Sequence, residues 1–397
     1  MKILIIHRYY WPDKTPCSNI LHQVSKYLDK NKHEIDILSS QPSYVPDKYL
    51  DKFPTSEVID NVNIHRLLLL NETYSPFRRL INAIYLGIWT IIKSIVKKYD
   101  IIISTTVPPV LNGFFAALAC NLTKAKFIYF CMDLNPEIGK VSKDFKNQIL
   151  FKLLLRIDDW SCQKANLVLV HSQDMLKTLK LRPNGTKYNI KIMSNFSPQT
   201  LEKNKNNINL STELKKKLTI IYTGNIGRFQ GLVTVIDAMS LLVSRKDIEL
   251  IIMGNGIEKK KLLEKAQKRN LNIKFYDYQS LELTKIMIRN ADIGLVTLIP
   301  KIYKYAYPSK IMTYLEQGKP IICALEKESQ IVKNMKNHGY GFHTQFGNKK
   351  SMANLFIRLA DDKKWKKKMS QSALQAFKKN FSSNIVLDKW KKVVNDL

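Results

Sequence analysis

The first half of the chain alternates short apolar runs with longer amphipathic stretches. Residues 2–6, 34–38, 62–67, 100–104, 126–132 and 167–171 are mostly aliphatic or aromatic runs, the pattern of strands buried on both faces of a sheet. Between them, residues 18–30, 80–96, 110–122 and 147–164 repeat apolar positions at three- and four-residue spacing, which predicts helices. Strands alternating with helices imply a parallel sheet covered on both sides, with ligands held at the carboxyl ends of its strands. The turns that follow the strands, at 9–19, 39–44, 105–109 and 133–137, are therefore where chemistry is expected. Residues 195–217 lose the periodicity and become rich in Asn and Lys, the composition of a connection between domains. A second alternation follows, with strands predicted at 218–222, 248–253, 273–276 and 293–298 and helices at 232–244, 257–268 and 281–290. Residues 303–324 then read as loop, helix, turn and strand. Ser309 is the expected helix cap, Ile311, Met312 and Leu315 form the apolar face, and Gly318 and Pro320 end the helix before a strand beginning at Ile321. Residues 350–397 read as two or three basic helices carrying Trp365 and Trp390.

Charge changes the picture more than composition does. The 397 residues are 45% hydrophobic and 24% charged, as in an ordinary globular protein, but 64 Lys and Arg face 33 Asp and Glu, a formal charge of +31. Such an excess attracts polyanions: nucleic acid, an anionic membrane surface or phosphorylated substrates. No helix-turn-helix, zinc-finger or aromatic RNA-binding pattern accompanies it, so nucleic acid is not the expected partner. The five cysteines are far apart and form no CxxC pair, which points to a reducing compartment and away from a structural zinc. The chain opens directly into a strand without a cleavable leader, and no uncharged run of about 20 apolar residues is present. The nearest is 80–96, flanked by Arg78-Arg79 and Lys97-Lys98 and interrupted by Asn82 and Lys93. It is either a core helix or a helix lying in a membrane interface with Tyr85 and Trp89 as anchors.

The candidate chemistry is anion binding. Two strand-to-helix turns in the second half are glycine-rich: Gly224-Asn225-Ile226-Gly227-Arg228 and Gly254-Asn255-Gly256. Glycine lets backbone N–H groups approach a phosphate, and a helix N-terminus adds about half a positive charge. Each turn alone is also an ordinary tight turn. Together with Ser309 and the full charge of Lys310 they make three phosphate-friendly elements in one half. In the first half Asp133 follows a buried strand; it is either a turn cap before Pro136 or a group that orients or deprotonates an acceptor hydroxyl, with Glu137 as second choice. His7 and His171 also end strands and read as structural. Asp158-Asp159 and Asp361-Asp362 read as solvated surface.

HRYYWPD near the start, Asp133-Leu-Asn-Pro-Glu137, YTGNIGRFQGL, MGNG, NADIGLVTL and YPSKIMTYLEQGKPII, in this order and spacing, resemble family 4 glycosyltransferases over nearly the whole chain. The resemblance implies the α/β GT-B fold, two Rossmann-like domains facing across a cleft. It implies an acceptor-binding domain over 1–196, a linker over 197–217, a nucleotide-sugar-binding domain over 218–375 and a C-terminal helix over 376–397 packing back on the first domain. It further implies a retaining enzyme, of hexosyl or N-acetylhexosaminyl type, that takes a nucleotide-diphosphate sugar, UDP-linked, to a saccharide on a polyprenyl diphosphate. The general pattern is most like O-antigen and capsule enzymes, among them L-fucosamine transferases. The acceptor of such enzymes places the chain at the inner face of the cytoplasmic membrane as a peripheral protein on an anionic surface.

On this resemblance Asp133, Arg228 and Lys310 are the catalytic residues. Gly224, Asn225, Gly227, Gly254, Asn255, Gly256, Ser309, Thr313 and Glu316 are the donor contacts. The chain departs from the family where two acidic residues are expected, with Tyr305 and Thr313 in their places, and one basic residue after the first glycine turn is absent. Lys310 and Arg228 are left to offset the charge of the leaving diphosphate. With no DxD-type pair after a strand, no metal or other cofactor is expected. The rival readings are a sugar-nucleotide epimerase of the same fold, a non-catalytic binding module and a basic nucleic-acid-binding protein.

Overall fold

The strands of the first half assemble into one largely parallel sheet, as their alternation with helices predicts. In the computed structural model, which describes residues 1–13, 15–43, 53–72, 75–141, 147–199 and 218–397, β1 (Lys2–Ile6), β2 (Glu34–Ser40), β3 (Ser56–Ile59), β4 (Val62–Leu67), β5 (Ile101–Thr105), β6 (Lys126–Cys131), β7 (Leu167–Val170) and β8 (Ile190–Ile192) form one sheet in the order β3-β4-β2-β1-β5-β6-β7-β8. All pairs are parallel except β3 with β4. The helices are α1 (Pro16–Lys30), α2 (Pro76–Lys97), α3 (Leu111–Thr123), α4 (Glu137–Val141), α5 (Gln148–Lys164) and α6 (Gln173–Lys180). Most of the linker expected over 197–217, and Lys14 and Tyr44 within the two turns that contain them, lie outside the described residues.

The second half builds a six-stranded parallel sheet from β9 (Leu218–Thr223), β10 (Ile248–Met253), β11 (Ile273–Tyr276), β12 (Ile293–Thr297), β13 (Ile321–Ala324) and β14 (Gly341–Thr344), in the order β11-β10-β9-β12-β13-β14. Its helices are α7 (Val233–Met239), α8 (Lys259–Lys268), α9 (Leu281–Asn290), α10 (Lys310–Glu316), α11 (Gln330–His338), α12 (Lys349–Asp361) and α13 (Trp365–Asn380). The predicted helix over 232–244 stops at Met239, where tight turns from Leu241 to Ala238 and from Leu242 to Met239 take over. The last helix, α14 (Ser383–Asn395), groups with the first sheet, as do Lys304–Tyr307. Trp390 is almost wholly buried there, edge-on to Phe130 of β6 with ring centroids 5.2 Å apart, and Asp388 accepts a hydrogen bond from Tyr27 of α1.

Two acidic residues expected at the surface are inside. Asp158 and Asp159 of α5 are buried; Asp158 accepts bonds from Tyr129 Oη (2.7 Å) and Arg182 Nη1 (2.7 Å), and Asp159 from Asn184 Nδ2 (2.7 Å) and the Tyr188 hydroxyl. Their apolar neighbours at 150–157 give no hint of this, because the partners lie 24 or more residues along the chain. Arg182, itself 7% exposed, also grips Glu137 with both Nε and Nη2 at 2.8 Å and the carbonyl of Asn135 at 3.0 Å. His7 and His171 are buried as expected of structural histidines, bonded to Thr105 Oγ1 (2.7 Å) and the Met193 carbonyl (3.0 Å), and burial pushes their pKa values down to about 3 and about 4. Removing Arg182 leaves two acidic groups without their cation in a closed space. Arg182→Met is therefore expected to cost about 3–5 kcal/mol, read from urea unfolding of the first unit, whereas a change below about 1 kcal/mol would mean the network is solvated.

Candidate donor and acceptor sites

In the second unit, β9 and β10 run parallel in a register that pairs Thr223 with Met253, so their two glycine turns begin level with each other. The turns then interlock through backbone. Gly224 N–H donates to the Met253 carbonyl (2.9 Å), Ile226 N–H to that of Asn255 (2.8 Å), and Gly254 N–H to that of Tyr276 (2.9 Å). Gly254 has φ +144°, and a Cβ there would stand 1.9 Å from the Gly224 carbonyl oxygen. The N–H of Gly227 donates to Gln230 Oε1 at 3.0 Å. The N–H groups of Gly224, Gly227 and Gly254 are thus spent on the fold. What these glycines supply is a close backbone fit rather than a phosphate cradle of their own N–H groups.

The open cation is Lys310. Its ammonium lies 3.5 Å from the centroid of the Tyr222 ring, and a Cβ at Gly224 would meet its Cε and Nζ at 3.6 Å. Among the described residues no carboxylate pairs with it. Burial pushes its pKa well below the usual lysine value, while the face of the Tyr222 ring favours the charged form. Tyr222 in turn donates its hydroxyl to the Asn225 carbonyl (2.5 Å), fixing the ring beneath the lysine. Tyr314, buried on α10, accepts the Thr223 N–H at 2.9 Å and ties the helix that carries Lys310 to the end of β9. Gly294 makes room for it, since a Cβ there would come within 2.4 Å of the Tyr314 ring.

Other expected contacts fall differently. Ser309 does not cap α10 with its side chain: its backbone is already helical at φ −60°, ψ −23°, whereas a cap needs extended backbone to aim its oxygen at the first turn. With seven residues, α10 has too few aligned peptides for a strong end charge, so the site's positive charge rests on Lys310. Thr313 is half-buried on that helix. Glu316 is engaged: Lys285 of α9 holds its two oxygens at 2.8 and 2.9 Å, and Gln317 Nε2 donates to it at 3.1 Å. Arg228 and Asn225 are exposed, Arg228 opening a short 3₁₀ turn without an ion pair among the described residues; Asn255 Oδ1 accepts a bond from Lys259 (2.8 Å). Tyr222 and Lys285 were not picked out in sequence. Tyr222 looked like one more strand aromatic, and only its place just before the glycine turn could have marked it.

In the first unit Asp133 follows β6 and keeps an open face, yet the surrounding protein pushes its carboxyl up to about 6 through lost solvation. Its N–H donates to Thr106 Oγ1 (3.3 Å), it forms a β-bridge with Ala306, and the next N–H, of Leu134, donates to the Tyr305 carbonyl (2.8 Å). Among the described residues its carboxylate takes part in no hydrogen bond or ion pair, while the backbone at 133–134 is pinned by Thr106, Tyr305 and Ala306. Glu137, the second choice, is committed to Arg182. Among the described residues no group of three or more His, Cys, Asp or Glu side chains gathers as metal ligands do.

Known proteins resemble the chain in sequence and in fold. Residues 203–376 match the family described as Glycosyl transferases group 1. The Pseudomonas aeruginosa protein WbjE, a glycosyltransferase by name, is 25% identical over 316 residues, 76% of each chain. WcaI of Escherichia coli (strain K12), named as a colanic acid biosynthesis glycosyl transferase, is 33% identical over 118 residues, 29% of this chain and 28% of WcaI. Among solved structures, sucrose-phosphate synthase from Thermosynechococcus elongatus superposes with a TM-score of 0.80 at 13% identity, covering 100% of this chain and 98% of that one. HepE from Anabaena, in complex with UDP-glucose, gives 0.73 at 14%, covering 100% of both. At such identities the structural likeness is one of fold.

The glycine interlock is tested by paired substitutions. Gly254→Ala is expected to lower stability by at least about 1–3 kcal/mol and to weaken nucleotide binding, while Gly347→Ala, with φ +82° and nothing within 4 Å, should cost only backbone strain of about 1 kcal/mol and leave binding intact. Equal effects in urea unfolding and calorimetry would remove the special role given to position 254. On the matched segment, the paired Rossmann-like sheets and the similar relatives, residues 203–376 match the group 1 glycosyl transferases and the chain has the GT-B fold of glycosyltransferases.

Proposed function

We propose that this glycosyltransferase moves a hexosyl or N-acetylhexosaminyl group, with retention, from a UDP-linked donor to a saccharide carried on a polyprenyl diphosphate, in the synthesis of O-antigen or capsule. The observation that carries the donor half is the unpaired ammonium of Lys310 over Tyr222, beside the glycine turn that ends β9. A desolvated cation without a carboxylate partner is poised for an anion that arrives with the substrate. As the sugar–phosphate bond breaks, negative charge grows on the diphosphate; Lys310 and the exposed Arg228 offset it, so no metal is needed for that task. Thr313 contacts the donor, and Glu316, held by Lys285, shapes the same region. The UDP-glucose complex of HepE supports a nucleotide-sugar donor, and the name of WcaI supports a place in polysaccharide synthesis. Asp133 works on the acceptor, taking or orienting the hydroxyl proton. The enzyme sits as a peripheral protein on the anionic inner face of the cytoplasmic membrane, a reading supported by the charge of +31 and by an exposed apolar stripe on α2. That stripe favours a membrane-borne acceptor over the soluble substrate of an epimerase.

Lys310→Ala is expected to weaken binding of a nucleoside diphosphate by roughly 1.5–3 kcal/mol. Calorimetry measures this; undiminished UDP binding in the Lys310 and Arg228 alanine variants would overturn the donor assignment.

For Asp133 the sign follows from its raised pKa. Its carboxylate is protonated below about pH 6 and available above it, so transfer should rise through that pH. Asp133→Asn should lose this rise and on the order of 10²-fold in rate, with nucleotide affinity nearly unchanged. Full turnover in the Asn variant on a lipid-linked acceptor would make Asp133 structural.

A further inference from the structure

Helix α2 is built inside out. The residues it buries are Asn82, Ala83, Leu86, Gly87, Thr90 and Ser94, while ten large apolar side chains from Phe77 to Val96 are each 38% or more exposed. A surface helix normally turns its apolar face to the core, and an exposed stripe of this extent marks a contact surface. The helix is long and apolar enough to cross a membrane, but its polar face packs along the first unit, and a packed helix lies along a surface rather than through it.

One flank of the stripe opens into a cavity of about 470 Å³ between α2 and the end of β4. Tyr85, Trp89, Ile92 and Val96 line it from the helix, and Leu67 and Leu68 from the strand and the turn beyond it. Its other cations are already spoken for. Lys93 pairs with Asp36 at 3.3 Å and Arg66 with Glu57, whereas Lys97 is exposed at the rim with no acidic partner among the described residues. The volume is that of a site for one small molecule, and the wall it exposes is mostly apolar, with Thr55, Ser56 and His65 also in the lining and Lys97 the open charge at the edge.

Resting on the membrane reading above, we infer that this cavity takes one hydrocarbon chain of an anionic phospholipid from the bilayer on which α2 lies, with Lys97 meeting the headgroup. The four apolar α2 residues that line the cavity, Tyr85, Trp89, Ile92 and Val96, are also part of the exposed stripe, so a chain enters without crossing water. Charge decides against a second copy of this protein as the cover. Arg78 and Arg79 stand at one end of the helix and Lys97 and Lys98 at the other, with no acidic residue between them. Two such helices laid together, parallel or antiparallel, bring cations against cations, while an anionic leaflet satisfies both ends.

The test uses the full chain and two variants at exposed positions. Leu68→Trp fills the cavity mouth while keeping the surface apolar; Ile84→Glu with Ile88→Glu breaks the stripe outside the cavity. The probes are lysophosphatidylglycerol below its micelle-forming concentration, titrated by calorimetry, and phosphatidylglycerol-containing vesicles, read by co-sedimentation. The parent protein should bind one lysolipid saturably, at least fivefold tighter than lysophosphatidylcholine, and pellet with the vesicles. Leu68→Trp should bind lysolipid at least tenfold more weakly and still pellet. The double glutamate variant should bind lysolipid and fail to pellet. Vesicle binding without saturable lysolipid binding would overturn the chain-capture inference and leave the membrane reading standing; absence of both would overturn both. A dimer that the double variant disperses, with no vesicle binding, would assign the stripe to a second copy and overturn the inference. UDP binding, measured in parallel, should be equal in all three proteins.

Discussion

Two carbonyl-to-glycine contacts fix the chemistry of the second unit. The backbone of Gly254 passes so close to the Gly224 carbonyl that no side chain fits, and Gly256 meets the Ile226 carbonyl in the same way, a Cβ there standing 2.4 Å from its oxygen. This packing holds the ends of β9 and β10 flush, which sets the Tyr222 ring under Lys310 and the Thr223 N–H against Tyr314. The ammonium is therefore positioned by close-packed backbone and two hydrogen-bonded aromatic side chains. Preorganisation of this kind is what makes a single cation effective against a developing charge.

The first unit solves an opposite problem, keeping a helix in place on a narrow seam where Leu86 is the one fully buried large apolar side chain. Asn82 of α2 makes two bonds to the backbone of Leu70, donated and accepted at 2.9 Å, and a third to Glu72 (2.7 Å), whose other oxygen meets Arg8. Gly87 takes Phe115 of α3 against its backbone, where a Cβ would stand 2.0 Å from the ring. Thr90 and Ser94 return their hydroxyls to the helix's own carbonyls. Small and hydrogen-bonded groups thus face inward, so the aliphatic residues are released outward. The polar interruptions Asn82 and Lys93, which break the apolar run in sequence, are what pin the helix to the protein.

Much of the fold was legible because parallel strands buried on both faces leave an uninterrupted apolar signal. The bounds of β4, β10, β11 and α9 coincide with those read from sequence. What escaped is explained by distance along the chain. β3, β8, α11 and β14 are too short or too mixed to carry a period. Asp158 and Asp159 looked solvated because their partners, Arg182, Asn184 and Tyr188, come from beyond β7. Lys310 and Asp133 were visible from their places after strands, but the roles of their neighbours were not. The glycine turns advertised N–H groups that the fold consumes, Ser309 sits too far inside its helix to cap it, and Glu316 is engaged by a lysine 31 residues away.

The return of α14 to the first unit has a consequence for biosynthesis. Val386, Leu387, Trp390, Val393 and Val394 belong to the same apolar cluster as Ile3, Ile5, Ile35 and Phe130. A ribosome delivers β1 through β8 long before it delivers these five residues. Until then the sheet presents an uncovered apolar flank, while the second unit, whose strands and helices run from Leu218 to Asn380 with only Lys304–Tyr307 given to the first, has its own elements complete. The later-made half is thus free to finish first, and the opening sheet, complete at Ile192, waits for its cover until α14 begins at Ser383. The same dependence forbids dividing the protein at the linker: a fragment ending near Pro198 would carry a sheet whose covering helix was left behind on the other piece.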